Sequence, residues 1–131
     1  MKNILPFLVA LVLTACHSKI YDLNSLVSSQ PTVLIFLAAD CPISQRYIPR
    51  INQLSERYPQ VRFIGVFSAR ETKASLREYR KANHIRFTTV LDHQNALSQQ
   101  MGATHTPEAF LLSASKQVIY HGAIDNWYYN L

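Results

Sequence analysis

The stretch TVLIFLAADCPIS, residues 32–44, decides the fold of this chain. It begins with an unbroken run of apolar and β-branched residues, which is typical of a strand covered on both faces of a parallel sheet. A turn, Ala-Ala-Asp, follows, and Cys41 then stands directly before Pro42. Proline is favoured at the first position of a helix, where its missing N–H costs no hydrogen bond. The stretch therefore predicts a buried strand, a turn and a helix that begins at the cysteine.

The rest of the chain alternates strand and helix patterns. The helix after Cys41 carries one apolar face, contains Pro49, which is expected to kink it, and stops at Pro59. The further predicted elements are a strand over 61–67, a helix over 71–83, a strand over 87–91, a helix over 95–101 and a hairpin of strands 109–112 and 117–120. This order predicts an α/β domain with a mixed central sheet of about five strands and helices on both faces.

A segment of a different kind precedes this domain. Residues 1–15 hold a positive charge near the start, an apolar run and small residues before Cys16, which is the pattern of an export signal. The ending Leu-Thr-Ala-Cys resembles the bacterial lipoprotein signal, and this resemblance implies that Cys16 becomes the lipidated first residue of the mature chain. We expect a tether over 16–30, with some apolar residues packed on the domain, and the domain over 31–131. An ordinary signal peptide with a chance cysteine, or a membrane-dipping segment, is the alternative.

The composition favours one globular domain, and the lipoprotein resemblance implies that it lies at the bacterial cell envelope. Of the 131 residues, 48% are hydrophobic and 16% are charged, which argues against a disordered chain. The net charge of +5 comes from scattered Lys and Arg residues, so nucleic acid is not an expected partner. With Cys16 lipidated, the chain would be anchored to the membrane, facing the periplasm or the exterior, and would keep one free thiol. Such a lone thiol in an exported protein is either buried and inert or present to react.

Cys41 is the candidate reactive residue. Only a thiolate attacks a disulfide or a peroxide, and a free thiol has a pKa near 8.5. The unpaired N–H groups and the dipole at a helix start favour negative charge, so they would lower the pKa of Cys41. An ionised carboxylate on the neighbouring Asp40 would raise it. The sequence does not say which effect is larger.

Three separate motifs resemble the thioredoxin-like superfamily. Cys41-Pro42-Ile43-Ser44 lies where that family places its Cys-x-x-Cys motif, Pro49 matches its helix-kinking proline, and Thr106-Pro107 matches its cis-proline loop beside the active thiol. The sequence over 40–47 and 106–110 looks like the bacterial redoxin-domain proteins close to the peroxiredoxins. The resemblance implies a cis peptide bond before Pro107 and a loop that holds substrate near the sulfur.

The chain departs from that pattern at two places. Ser44 stands where a second cysteine would release a bound substrate, so a thiol from outside the chain would have to reset Cys41; Ser44 can only hydrogen-bond the thiolate. The final helix of the family is missing from the sequence, which predicts apolar sheet surface left exposed. His105 stands near Pro107 and would act as a base or a cationic neighbour of Cys41, or would simply line the loop.

Three functions remain open. The first is a single-cysteine thiol oxidoreductase acting on protein or small-molecule thiols and disulfides, with Cys41, Ser44, His105, Thr106 and Pro107 as its site. The second is a one-cysteine thiol peroxidase, an antioxidant activity against which Ala38 argues, because peroxiredoxins usually have Thr or Ser at that place. Its activating arginine would be one of Arg46, Arg50, Arg70 and Arg86. The third is a binding domain without chemistry. No cofactor or metal is expected, since His84, His93 and His121 have no ligand spacing with a cysteine.

Overall fold

Five strands form one mixed sheet in the order β3-β2-β1-β4-β5 in the computed structural model, which describes residues 21–126. The strands are β1 (Thr32–Leu37), β2 (Arg62–Ser68), β3 (Thr88–Asp92), β4 (Glu108–Leu112) and β5 (Val118–Gly122). The helices are α1 (Leu23–Leu26), α2 (Pro42–Arg57), α3 (Lys73–Ala82) and α4 (Ala96–Met101), with a short 3-10 turn over His93–Asn95 before α4. The predicted mixed five-strand sheet is therefore confirmed.

The direction of each strand places the two candidate motifs at the same end of the sheet, where the parallel strands finish. Strands β1, β2 and β3 run parallel, whereas β4 runs antiparallel to β1, with Phe36 opposite Glu108. The carboxyl end of β1 and the start of β4 consequently lie side by side. In open α/β sheets, ligands bind at the point where the strand order reverses. That point falls between β1 and β4.

Helices cover both faces of the sheet, as predicted. Helices α2 and α3 pack on one face, where Ile48, Ile51 and Leu76 join the odd-numbered side chains of β1. Helices α1 and α4 pack on the other face, where Leu26 and Leu97 join the even-numbered ones. Because β1 is buried on both faces, its sequence is continuously apolar and does not alternate.

The packed domain begins before the boundary expected at residue 31. Leu26 and Val27 are buried against the sheet, and Asp22 caps α1 by accepting a hydrogen bond from the Ser25 amide. Part of the expected tether, Leu26 and Val27, thus belongs to the core. Residues 1–20 and 127–131, and with them the predicted signal and Cys16, lie outside the described residues.

Local capping explains where the helices begin. Pro42 occupies the first turn of α2, and Cys41 is its N-cap, as the sequence predicts. Helix α3 begins at Lys73, two residues later than expected, because the side chains of Thr72 and Ser75 each accept a hydrogen bond from the other's backbone N–H. Such a capping box fixes the helix start at Thr72.

The outer side of β5 exposes apolar side chains. Val118, Ile119 and Tyr120 are each about half exposed or more, with Ile119 at 60%. Nearby, an apolar groove of about 250 Å³ opens between β4, β5 and the end of α2, lined by residues such as Val33, Leu54 and Tyr120. The sequence-based expectation of exposed apolar sheet surface is therefore met within residues 21–126.

A buried amide joins α2 to the segment that follows α3. The side chain of Asn52 donates to the carbonyl of His84 at 2.9 Å and accepts from the N–H of Arg86, also at 2.9 Å. Both backbone groups belong to the turn that leads into β3, so this one side chain fixes how β3 enters the sheet.

We predict that Asn52→Ala lowers the free energy of unfolding by about 2 kcal/mol, because it leaves two backbone groups without their partner. Urea unfolding followed by circular dichroism measures the change. The exposed neighbour Gln53 supplies the matched control, since Gln53→Ala should stay within about 0.5 kcal/mol of the parent. Equal losses in both variants would contradict this role of Asn52.

Candidate active site

Cys41 lies at the N-terminus of α2 with its sulfur facing the first-turn amides. Its backbone is extended (φ −90°, ψ 114°), and the N–H of Ser44 donates to Sγ at 3.5 Å. This is the geometry of an N-cap side chain, in which sulfur takes the place of the usual oxygen. Cys41 is neither fully buried nor fully exposed. Its sulfur is therefore both hydrogen-bonded by the helix and within reach of a reactant.

The loop before β4 lies directly opposite this sulfur. The Thr106–Pro107 peptide bond is cis, as the resemblance implies. The Cys41 thiol donates to the carbonyl oxygen of Thr106 at 3.6 Å, across 65 positions of sequence. The structure thus brings Cys41, Thr106 and Pro107 together at the carboxyl end of β1.

Hydrogen bonds outweigh burial in setting the pKa of Cys41. Burial alone would raise the pKa of the thiol, but the backbone N–H and side chain of Ser44, the side chain of Thr106 and the backbone of Ile43 lower it, and the net shift is downward. Asp40 is exposed and is not among the causes of this shift. The sequence left open whether the helix or Asp40 dominates, and the structure favours the helix. Only the protonated thiol can donate to the Thr106 carbonyl, so that bond is given up on ionisation.

Ser44 is fully buried beneath the thiol. Its Oγ accepts a hydrogen bond from the N–H of Ala38 at 3.4 Å, which joins the first turn of α2 to the end of β1. The same side chain helps lower the pKa of Cys41. Ser44 therefore stabilises the thiolate but has no thiol with which to displace a bound substrate.

His105 contacts the loop and not the thiol. Its ring is largely exposed, with Nδ1 at 3.1 Å from the hydroxyl of Thr104 and at 3.6 Å from the carboxylate of Glu108. The hydrogen-bond partners of the Cys41 sulfur in the described part of the chain are Ser44 and Thr106. Of the two alternatives for His105, these contacts match a residue that lines the loop.

Glu108 organises the loop, and sequence reasoning missed it. The residue is 1% exposed, and its carboxylate accepts from the N–H groups of Thr104 at 2.7 Å and His105 at 3.2 Å and pairs with the ring of His121. Burial would raise the pKa of Glu108, but the bond to His121 and the two amides hold it below its ordinary value. An acidic residue at the start of an apolar strand was the available signal, because a buried carboxylate requires partners.

Tyr79 places an unpaired polar group on the same side of the sheet as α2. Its hydroxyl is buried and has no hydrogen-bond partner among residues 21–126, and its ring packs against Phe67 in an edge-to-face contact. Burial first, and then the charge of Cys41, raise the pKa of Tyr79. The thiolate and the Tyr79 hydroxyl are therefore electrostatic neighbours.

Two cavities flank the Thr106 loop. One, of about 200 Å³, lies beside the first turn of α2 and is lined by Ile43, Tyr47, Thr106, Pro107 and Ile124, among others. The other, of about 290 Å³, lies at the carboxyl ends of the parallel strands and shares His105 and Thr106 with the first.

Within residues 21–126, no group of three His, Cys, Asp or Glu side chains is placed to hold a metal ion. In the same range, no helix has both the length and the apolar character needed to cross a bilayer.

Known proteins match this chain in sequence and in fold. The sequence profile of the AhpC/TSA family matches residues 8–121. A thioredoxin-like protein of Haemophilus influenzae is 30% identical over 108 residues, a match that covers 82% of this chain and 64% of that protein. This chain therefore spans less than two thirds of the length of that relative.

Solved structures of low sequence identity share the fold. A secreted Mycobacterium tuberculosis disulfide oxidoreductase homologous to E. coli DsbE has a TM-score of 0.64 at 19% identity, covering 72% of this chain and 70% of that one. StoA from Bacillus subtilis has a TM-score of 0.65 at 22% identity, covering 72% and 73%. The thioredoxin domain of a Bacteroides vulgatus thiol-disulfide oxidoreductase has a TM-score of 0.68 at 14% identity, covering 82% and 79%. The thioredoxin-like fold is thereby shown.

We predict that Ser44→Ala makes Cys41 less acidic. The pH midpoint of iodoacetamide alkylation should lie below that of an ordinary cysteine thiol in the parent chain and should move upward in the variant, which loses a hydrogen bond to the thiolate. At pH 7 the rate should fall about fivefold, the factor equivalent to one bond of about 1 kcal/mol. Ser55→Ala, on the same helix, is the control, because the Ser55 hydroxyl donates to the carbonyl of Asn52 and, within residues 21–126, makes no bond to the thiol. An unchanged midpoint in Ser44→Ala would contradict this role.

We predict that Glu108→Gln lowers the free energy of unfolding at neutral pH by about 2 kcal/mol, because hydrogen bonds to a charged acceptor are lost. The lowered pKa of Glu108 means that its contribution is complete above the unfolded-state value of about 4.3 and is lost as the pH falls through the folded value. The gap between parent and variant should therefore narrow from pH 5 to pH 2.5, a window below the ordinary titration range of imidazole. Urea unfolding at each pH measures it.

The exposed Glu78 provides the control for this experiment. Glu78→Gln should shift stability by less than about 0.5 kcal/mol at every pH. A gap for Glu108→Gln that stays constant with pH would show that the carboxylate charge is not what holds the loop.

Proposed function

The chain belongs to the AhpC/TSA family, and from that premise we propose that it is an envelope-anchored thiol oxidoreductase that works through Cys41 alone. The observation that carries this proposal is the contact between the acidified Cys41 thiol and Thr106, next to the cis Pro107. A cysteine that was only structural would be buried in apolar surroundings, which raise the thiol pKa. Cys41 instead keeps partial exposure and a lowered pKa.

The reaction we propose is thiol–disulfide exchange in two steps. The Cys41 thiolate attacks one sulfur of a substrate disulfide, a mixed disulfide forms, and the other substrate sulfur leaves as a thiolate. A second thiolate, supplied by a small molecule or a protein, then attacks the substrate sulfur of the mixed disulfide and releases Cys41 as a thiolate. The substrate disulfide and the incoming thiol thereby exchange partners without a net change in electrons.

Each residue around the sulfur has a role in these steps. The N–H and side chain of Ser44 stabilise the thiolate, which is both the attacking and the leaving group. The loop of Thr106 and Pro107 borders the cavity of about 200 Å³ beside the first turn of α2, where an extended peptide or a small disulfide would lie. Glu108 holds this loop in place through the amides of Thr104 and His105.

Resetting from outside is required because Cys41 has no resolving partner in the described part of the chain. Cys41 is the free cysteine of residues 21–126, and the position three residues further along α2 holds Ser44. The other cysteine of the sequence, Cys16, is proposed to carry lipid and would then be unable to react. The expected partners are protein or small-molecule thiols and disulfides.

Location at the cell envelope is part of the same proposal. Residues 1–15 have the charge, apolar run and small residues of an export signal, and Cys16 stands where a lipoprotein is processed. A secreted location is stated for the similar Mycobacterium tuberculosis oxidoreductase and is consistent with export. Lipid on Cys16 would hold the domain at a membrane surface, on the periplasmic or exterior side.

We predict that full-length protein treated with glutathione disulfide gains one glutathione at Cys41, located by peptide mass spectrometry, and that Cys41→Ser gains none at this position. Mapping the peptide separates this event from any reaction at Cys16. Captured glutathione should be released by added dithiothreitol. Absence of capture at Cys41 in the parent chain would overturn the proposed exchange reaction.

The variant Ser44→Cys sharpens this test. Because the backbone N–H of position 44 already lies 3.5 Å from the sulfur, the new thiol would reach Cys41, displace glutathione and leave an intrachain disulfide. Ser55→Cys, further along α2, should retain the glutathione and serves as the control. Two further results identify the alternatives. Formation of sulfenic acid at Cys41 with hydrogen peroxide, without capture of glutathione, indicates a peroxidase. Slow alkylation of Cys41 with a pH midpoint near 8.5 indicates a binding domain.

A further inference from the structure

A basic groove crosses the β3 edge of the sheet, away from the thiol. It has a volume of about 380 Å³ and is lined by three cationic side chains and a histidine over an apolar floor. The lining includes Lys73, Arg77, Arg80 and His93, together with Tyr21 and apolar residues such as Leu76. The groove therefore combines positive charge with apolar contact area.

The periodicity of α3 gathers its basic residues on one side. At about 100° per residue, Arg80, Lys73, Arg77 and Lys81 fall within an arc of about 100°. All four are exposed, and within residues 21–126 none of them forms an ion pair. The one acidic residue inside the helix, Glu78, lies about 60° beyond Lys81. This side of α3 thus presents unneutralised positive charge.

The N-terminal segment of the chain arrives at the same groove. Tyr21, the first described residue, is part of its lining. Cys16 stands five positions earlier in the sequence, and an extended chain spans at most about 3.6 Å per residue, or about 18 Å in all. A lipid on Cys16 would therefore hold the groove within that distance of the membrane.

We propose that the groove and the basic side of α3 form a docking surface for an anionic lipid bilayer. The proposal rests on the proposed lipid anchor and adds which side of the domain faces the membrane. Basic residues near an anionic surface each favour association by about fivefold. Tyr21 adds a ring with an apolar body and a polar tip, a side-chain type that suits the membrane–water interface.

This orientation keeps the thiol accessible. Cys41 follows β1, which is separated from the β3 edge by β2, so the strand that leads to the thiol lies two strand spacings, about 10 Å, from that edge. With α3 against lipid, the cavities around Thr106 remain open to soluble thiols and to proteins at the membrane surface.

The test uses the mature chain, purified from membranes, in vesicles of phosphatidylcholine alone or with 30% phosphatidylglycerol. Intact mass first establishes whether Cys16 is acylated. The modification rate of Lys73 by an amine reagent is then compared with that of Lys116, which lies on the β4–β5 hairpin. We expect Lys73 to be protected at least fivefold in the anionic vesicles only, with Lys116 unchanged.

Matched variants assign the protection to charge at the groove. Arg77→Gln combined with Arg80→Gln should lower the ratio of membrane-facing to free orientations about 25-fold, since two charges are lost. Arg46→Gln combined with Arg57→Gln, on α2, changes the net charge equally and should leave Lys73 protected. Equal protection in the two double variants would overturn the proposal.

The outcomes separate this inference from the proposed function. Acylated protein with equal Lys73 rates on both vesicle types overturns the docking surface and leaves the anchor intact. A mass that shows no lipid removes the anchor on which the orientation rests, and overturns the docking surface with it. Protection of Lys73 by inorganic phosphate in detergent, without protection on vesicles, would assign the groove to a small anion instead. Capture of glutathione at Cys41 is unaffected by any of these results.

Discussion

The antiparallel pairing of β4 with β1 is the contact on which the site depends. It sets Phe36 opposite Glu108, so the chain leaves β1 toward Cys41 at the point where it enters β4 from Pro107. A parallel β4 would start at the opposite edge of the sheet and carry Thr106 away from the thiol. The same pairing buries Glu108 at the start of β4. Its carboxylate holds the loop through hydrogen bonds from two amides and a contact with His121.

The pKa of Cys41 is set by two opposing effects, burial and hydrogen bonding. Partial burial opposes the thiolate, but the amide and hydroxyl of Ser44 and the side chain of Thr106 stabilise it by more. Ser44 is held by the N–H of Ala38, and the Thr106 loop is held by Glu108, so the donors are fixed before a substrate arrives. Prepositioned donors cost no reorganisation when charge develops at the sulfur. In the mechanism we propose, these donors favour attack on a disulfide, and release of the mixed disulfide falls to another thiol because Ser44 has none.

The two edges of the sheet differ in chemistry. At the β5 edge, Val118, Ile119 and Tyr120 are exposed, whereas the β3 edge lies beneath the basic side of α3. The thiol lies between them, at the carboxyl end of the central strand. In the orientation we propose, the basic edge would face an anionic surface and the apolar edge would stay free, with the thiol uncovered between them.

Sequence alone determined the five strands, the helices α2, α3 and α4 and the position of the candidate thiol, because these depend on neighbours along the chain; it missed α1 and the 3-10 turn before α4. The β-branched run of β1, the proline after Cys41 and the 3.6-residue periodicity of α2 predicted the strand, the N-cap and the helix, with errors of one or two residues at element ends. The contact between Thr106 and Cys41 was implied by the family resemblance and could not be read from any local sequence pattern. Only tertiary structure decided the pairing of Glu108 with His121, the burial of Leu26 and the convergence of Tyr21 with α3. These contacts join residues that are not neighbours in sequence. They are fixed by the packing of the sheet and helices, which local periodicity does not encode.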